Sequence, residues 1–365
     1  MSPLSFVIGL SLIATVLWDA FETVILPRTV SRRWRLARVY FRGTWLPWRR
    51  VARSIENDGR RERFLAVYGP LSLTGLLMVW AVGLVLGFAA LQWSFGSRLQ
   101  TPTGPAHLAD DIYMSGTTFF TLGLGDVHPV ARTARILTVV EGGLGFGFLA
   151  VVIAYFPVLY QSFARREVRL TMLDAWAGSP PAAAEVLRRL AEASEIKALD
   201  PFLKDWEYWC SELLESHISY PAIAFFRSQH QRQSWVAALA AILDVSALVV
   251  VGIDGVPTWQ AHVTFAIARH AAVDLLQVLN APADAIADRL PSDDLEQLRR
   301  QLENAGLHPA RSPAADARLL AMRRSYEPFV VGLGNFLMMP APAWSRQGPA
   351  KDNWQTSPRG STGHL

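Results

Sequence analysis

A chain of 365 residues, 51% of them hydrophobic and 18% charged, has the composition of a membrane protein with a sizeable polar part. Its single cysteine, Cys210, excludes an intramolecular disulfide. The formal net charge of +4 traces to one arginine-rich stretch that membrane topology explains, and no nucleic-acid-binding module stands out.

Three segments are long and apolar enough to cross a bilayer as helices, which takes about 20 residues. The first runs from Leu4 to Leu26 within an N-terminal span of 1–27. No basic residue precedes its apolar core, so it is expected to remain as a helix and not to serve as a secretory signal. Asp19 and Glu22, at i, i+3 spacing near its end, are expected to snorkel to the interface. The linker 28–63 follows, with Arg28, Arg32, Arg33, Arg35, Arg38, Arg42, Arg49, Arg50, Arg53, Arg60, Arg61 and Arg63 against only three carboxylates. The positive-inside rule puts it in the cytoplasm. It reads as an interfacial helix on anionic lipid, with Trp34, Trp45 and Trp48 as anchors.

The second span, 64–97, has no charged residue and is longer than a bilayer needs. Next, Leu108 to Phe120 is expected to form a short re-entrant helix, with Asp110 and Asp111 at its positive end. Thr121-Leu122-Gly123-Leu124-Gly125-Asp126 follows it directly. Glycines alternating with other residues let successive carbonyls address one axis, which is how a ring of strands replaces an ion's hydration shell.

Preceded by Tyr113-Met114-Ser115-Gly116-Thr117-Thr118-Phe119-Phe120, this hexapeptide resembles the pore helix and selectivity filter of the potassium channel family, whose common form is Thr-Val-Gly-Tyr-Gly-Asp. The resemblance covers roughly 64–163 and is to single-pore-loop bacterial members with a two-helix pore. It implies that Thr121, Leu122, Gly123 and Leu124 hold K⁺, with Gly125 and Asp126 completing the filter. It also implies that Asp126 bonds behind the outer filter; a solvated carboxylate at the mouth is the other reading. Leu124 stands where the family has an aromatic ring, as in second pore loops of two-pore-domain channels. Phe120 stands where it has threonine, so Phe120 is expected to fill space beside Leu124, with Thr118 as further support. His107 and His128 fall on the outer side, where His128 is a candidate proton sensor.

The third span, 136–163, contains Glu141, an ionisable residue expected to brace the filter or to pair with Arg132 or Arg135. Inner helices of the family bend at a glycine, and Gly145 lies twenty positions past Gly125. Gly145 therefore reads as a gating hinge or as a helix-packing site, with Pro157 as a second bend. One filter strand per chain implies a homotetramer.

From Arg165 onward the chain is mixed in polarity, and 164–339 reads as an all-α cytoplasmic domain. Helix starts are expected at Ser179-Pro180-Pro181 and Asp200-Pro201, with further helices over Trp235–Val251, Pro257–Leu279, Ser292–Asn304 and Ala314–Phe329. Val330-Val331-Gly332-Leu333-Gly334-Asn335 only faintly echoes a nucleotide-binding turn. Cys210, His217, His230, His262 and His270 lack the spacing of a metal site, and no hydrolase or phosphate-loop motif occurs. The Pro- and Gly-rich stretch 340–365 is expected to be a disordered tail.

The expectation is an all-α membrane protein of a bacterial inner membrane: a homotetrameric potassium-type channel without enzymatic turnover or cofactor other than the permeant K⁺. It is gated by inner-helix bending and modulated by the helical domain. The alternatives are a weakly selective monovalent cation channel, and a membrane-anchored signalling or binding protein with a degenerate pore module.

Overall fold

A computed structural model describes residues 2–26, 35–102, 104–230, 232–286, 288–346 and 352–353. The chain divides into two compact units, residues 1–161 and 162–365. Both are built almost wholly of helices, and among the described residues three helices are long and apolar enough to cross a membrane.

In the first unit, α1 (Pro3–Ala20) starts on the Ser2 cap and ends in a π-helical turn, Phe21–Ile25. It packs along α3 (Asp58–Ser94), the most buried span. Between them in sequence lies α2 (Leu36–Arg53). The linker expected at 28–63 thus resolves into this helix and the first turns of α3; Arg28, Arg32, Arg33 and Trp34 lie outside the described residues.

Two expectations about this region change. Asp19 and Glu22 do not snorkel: they are 4% and 6% exposed. The Asp19 carboxylate accepts from the Ala37 amide at 3.1 and 3.2 Å and from Trp80 Nε1 at 3.0 Å, so it caps the first turn of α2. Glu22 accepts from Trp18 Nε1 at 2.7 Å and faces Arg35 at 3.5 Å. Free N–H donors at a helix start need an acceptor, and here a neighbouring helix supplies it. Trp45 and Trp48 likewise turn inward. Trp45 is buried against Tyr68, and Trp48 stacks on Phe64 with ring centroids 4.3 Å apart. Arg42, Arg50 and Arg53 remain on the exposed side, beside Val39, Leu46 and Val51.

A two-residue pairing of β1 (Leu99–Gln100) with β2 (His128–Pro129) closes the loop that holds α4 (Leu108–Phe119). Then α5 (Arg132–Ala177) runs unbroken through Gly145 and Pro157, well past the expected end at 163.

The second unit is built around α8 (Trp235–Val251), in which every residue from Trp235 to Val250 is buried. Short and apolar all round, it is a core helix and not a fourth span. Around it pack α6 (Ala183–Glu192), α7 (Leu199–Ser219), α9 (Trp259–Val278), α11 (Pro313–Arg324) and α12 (Glu327–Leu337), while α10 (Ser292–Asn304) packs on α6. Its one charge, Asp244, receives both Arg289 nitrogens at 3.1 and 2.5 Å and the Tyr326 hydroxyl at 2.5 Å. The expected helix over Ala314–Phe329 is two helices, broken at Ser325 and Tyr326. Gly332 and Gly334 lie inside α12, with no strand before them, so the nucleotide-turn echo has no structural counterpart.

The tail expectation fails over its first part. Trp344 is 1% exposed, its ring beneath Arg289 and Arg323. Asp352 is buried between Arg189 and Arg346, at 2.6 and 2.7 Å. An apolar indole and a paired carboxylate hold what composition alone reads as solvated chain. Residues 347–351 and 354–365 lie outside the described residues.

Candidate permeation site

Helix α4 delivers the hexapeptide. Its N-terminus is capped by Asp110, whose carboxylate accepts from the His107 amide at 2.8 Å. Asp111, by contrast, is fully buried and accepts from the Ser97 hydroxyl at 2.6 Å. The helix rests on α3 through Met114, Ser115 and Phe119, and its C-terminal carbonyls turn the chain. The Thr118 carbonyl accepts from the Thr121 amide at 3.0 Å, and the Thr117 carbonyl accepts from Leu122 and Gly123 at 2.8 and 3.3 Å. Residues 121–126 are thereby tied to the helix end before the chain departs.

Within 121–126, the residues with positive φ are Thr121 (58°), Gly123 (57°) and Gly125 (80°), every second one. Alternating backbone handedness gathers successive amides on one side and their carbonyls on the other. Glycine takes this conformation freely; Thr121, β-branched, takes it against its preference, as strained residues at functional sites do. No atom stands within 4 Å of a Cβ built at Gly123 or Gly125, so the backbone conformation is what calls for glycine there.

Asp126, at the end of the segment, accepts from the Tyr113 hydroxyl at 2.9 Å, a partner one helix away. Asp126 is exposed in the single chain as well as hydrogen-bonded, so this geometry fits both readings. His128 is exposed and pairs through its backbone with Gln100. Phe120 meets Phe119 edge-on at 5.3 Å, and both Phe120 and Leu124 are exposed in the single chain, at 53% and 63%.

Behind the segment, Glu141 of α5 is fully buried. It pairs with neither Arg132 nor Arg135: its Oε1 is hydrogen-bonded to the Ser115 hydroxyl, while Arg135 donates to the Pro129 carbonyl at 3.2 Å. Gln92 reaches the Ala134 carbonyl at 3.2 Å and joins α3 to the start of α5. Gly145 packs beneath the end of α4, where a Cβ would overlap the Phe119 carbonyl. Gly142 lies beside Thr118, whose methyl would be 3.6 Å from a Cβ there. Ser115 and Tyr113 belong to the stretch that carries the resemblance but have no role assigned by it, and Gln92 carries no motif; the signal for Ser115 is its i, i+4 spacing from Asp111, which puts two polar residues on the face packed against apolar helices.

Among the described residues, no cluster of histidine, cysteine or carboxylate side chains is arranged to hold a metal ion. Backbone carbonyls and the Thr121 hydroxyl are the groups suited to a hard monovalent cation.

Three comparisons bear on this site. Residues 74–161 match the model of a family described as "Ion channel", a stretch that takes in most of α3, all of α4 and the hexapeptide, and α5 to the end of the first unit. The chain is also 26% identical over 191 residues to the uncharacterized membrane protein YdjJ of Bacillus subtilis (strain 168), covering 51% of this chain and 54% of that protein. No solved structure matches it. The chain is thus nearly all-α, with helices long and apolar enough to span a membrane and a stretch that matches the ion channel family model, and it spans about half the length of the membrane protein it matches.

Proposed function

We propose that the chain is a potassium-type cation channel in which four copies bring their 121–126 segments around one axis. The observation that carries this reading is the positive φ at every second residue of 121–126. A set of apolar groups left open in the single chain supports it. In the most apolar window of α5, 11% of residues are buried, against 61% in α3. With Phe120, Leu122 and Leu124 also exposed, the face that carries the segment is the one left for further copies.

In the tetramer, Thr121, Leu122, Gly123 and Leu124 ring the K⁺ ions, and the negative end of α4 favours a cation beneath them. The arginines of α2 lie in the cytoplasm against anionic lipid, so the segment faces outward and residues after α5 are cytoplasmic, in a bacterial inner membrane. Gating proceeds by bending of α5, and the second unit modulates it. Because Gly145 packs against the Phe119 carbonyl, a bend there also moves the end of the pore helix, whereas a bend at Pro157 does not.

Leu124 in the aromatic position favours one second reading, a weakly selective monovalent cation channel. Rubidium uptake into proteoliposomes tests the first claim. Uptake that barium blocks is expected; no uptake across several pH and lipid conditions overturns it.

A further inference from the structure

The Ser115 hydroxyl stands between two acceptors. It lies 2.7 Å from the Val85 carbonyl of α3 and is also hydrogen-bonded to Glu141 Oε1 of α5. A serine hydroxyl carries one hydrogen and two lone pairs. If that hydrogen goes to Val85, the hydrogen between Ser115 and Glu141 has to come from Glu141. If it goes to Glu141, the Val85 carbonyl faces bare lone pairs in a buried site.

A second observation decides between these. Glu141 Oε2 is buried and has no hydrogen-bond partner among the described residues. A buried ionised carboxylate with an unpartnered oxygen costs several kcal/mol, which a neutral acid avoids. The packed elements offer no compensating charge. Helix α3 has no charged residue from 64 to its end. On α4, Asp110 caps the His107 amide and Asp111 accepts from Ser97. On α5, Arg132 is exposed and Arg135 is taken by the Pro129 carbonyl.

We propose that Glu141 is held as a carboxylic acid donating to Ser115, which donates in turn to Val85. This one-directional chain ties α5 to α4 and α3 behind the conduction segment. Removing the proton at alkaline pH reverses the first link, releases Val85 and unseats α4. Glu141 is a positioning residue, acting on ions only through α4. The flux consequence rests on the channel reading above; the protonation state does not.

Two measurements on the full-length protein in liposomes test it. Rubidium uptake by the wild type is expected to fall about tenfold from neutral to alkaline pH. Glu141→Gln, which keeps a donor for Ser115 but cannot ionise, is expected to hold its neutral-pH uptake within about twofold and to lose the alkaline limb. Asp111→Asn, the neighbouring buried acid, should keep that limb. A Glu141→Gln protein with the wild-type alkaline limb, or a wild type flat over this range, overturns the proposal.

The second measurement is the infrared difference spectrum of wild type minus Glu141→Gln at neutral pH. It should contain the carbonyl band of a protonated carboxyl, and its absence overturns the proposal whatever the flux. The band without any flux sustains the proposal and removes the channel reading instead. Should Glu141→Gln not assemble, Ser115→Ala is read by the same band, which has to move to the position of an acid without an acceptor. A band unmoved by that change overturns the chain.

Discussion

At the residue scale, the proposed conduction segment depends on backbone conformation and on one side-chain tether. Gly123 and Gly125 have open space where a Cβ would stand but positive φ. Alanine there meets no neighbour and costs about 1–2 kcal/mol from conformation alone. Gly123→Ala is therefore expected to abolish rubidium uptake while the protein still elutes at the native assembly size; unchanged uptake would show that the left-handed residue is not needed. Gly145→Ala is a different lesion, because its methyl meets the Phe119 carbonyl, which belongs to backbone and cannot swing aside. Tyr113→Phe removes the hydroxyl that holds Asp126 and leaves the ring. The expected result is an intact assembly with a lower ratio of potassium to sodium permeability, read from bi-ionic reversal potentials.

At the element scale, helices are fixed by buried charges that composition does not advertise. Asp19 holds α2 through the Ala37 amide and joins it to α3 through Trp80. Hydrogen bonds to a charged group contribute about 1.5–3 kcal/mol, so Asp19→Asn should loosen the start of α2 by that order. Faster amide exchange at Ala37 and its neighbours, with α3 unaffected, is the measurement. In the second unit, Arg166 lies buried with its guanidinium on the Ile223 and Phe226 carbonyls, at 3.0 and 2.8 Å, and on His217 Nε2 at 3.2 Å. His217 Nδ1 is 2.9 Å from the Leu213 carbonyl, so it carries the ring hydrogen and Nε2 accepts from Arg166. Burial, with Arg166 beside it, holds the imidazole well below its ordinary range. The unfolded chain therefore binds a proton that the folded one refuses. Stability is complete above about pH 6.5 and falls by about 1.4 kcal/mol per unit as pH drops below it. Denaturation followed through the tryptophans of this unit should show that acid slope, and His217→Gln should flatten it.

At the scale of the whole molecule, legibility followed the range of the interactions. The long apolar helices, the short helix α4 and the alternating backbone of 121–126 could be read because apolar runs, helix caps and alternate glycines are local signals. Helix α8 could be told from a span because its length was too short, whatever its apolarity. What could not be read depends on partners distant in sequence. Asp19 near Arg28 looks like an interfacial carboxylate until Ala37 and Trp80 surround it. Glu141 near Arg135 looks like half an ion pair until Ser115 arrives from α4. Trp344 in a Pro-rich stretch looks like solvated chain until the second unit closes over it.

The central claim, that copies of this chain form a cation-conducting pore, is tested most directly by the reversal potential of the purified protein in a planar bilayer under a potassium chloride gradient. A pore ringed by carbonyls predicts a current that reverses near the potassium equilibrium potential and is lost in Gly123→Ala. A current reversing at zero or on the chloride side, or one that persists in Gly123→Ala, would contradict the claim.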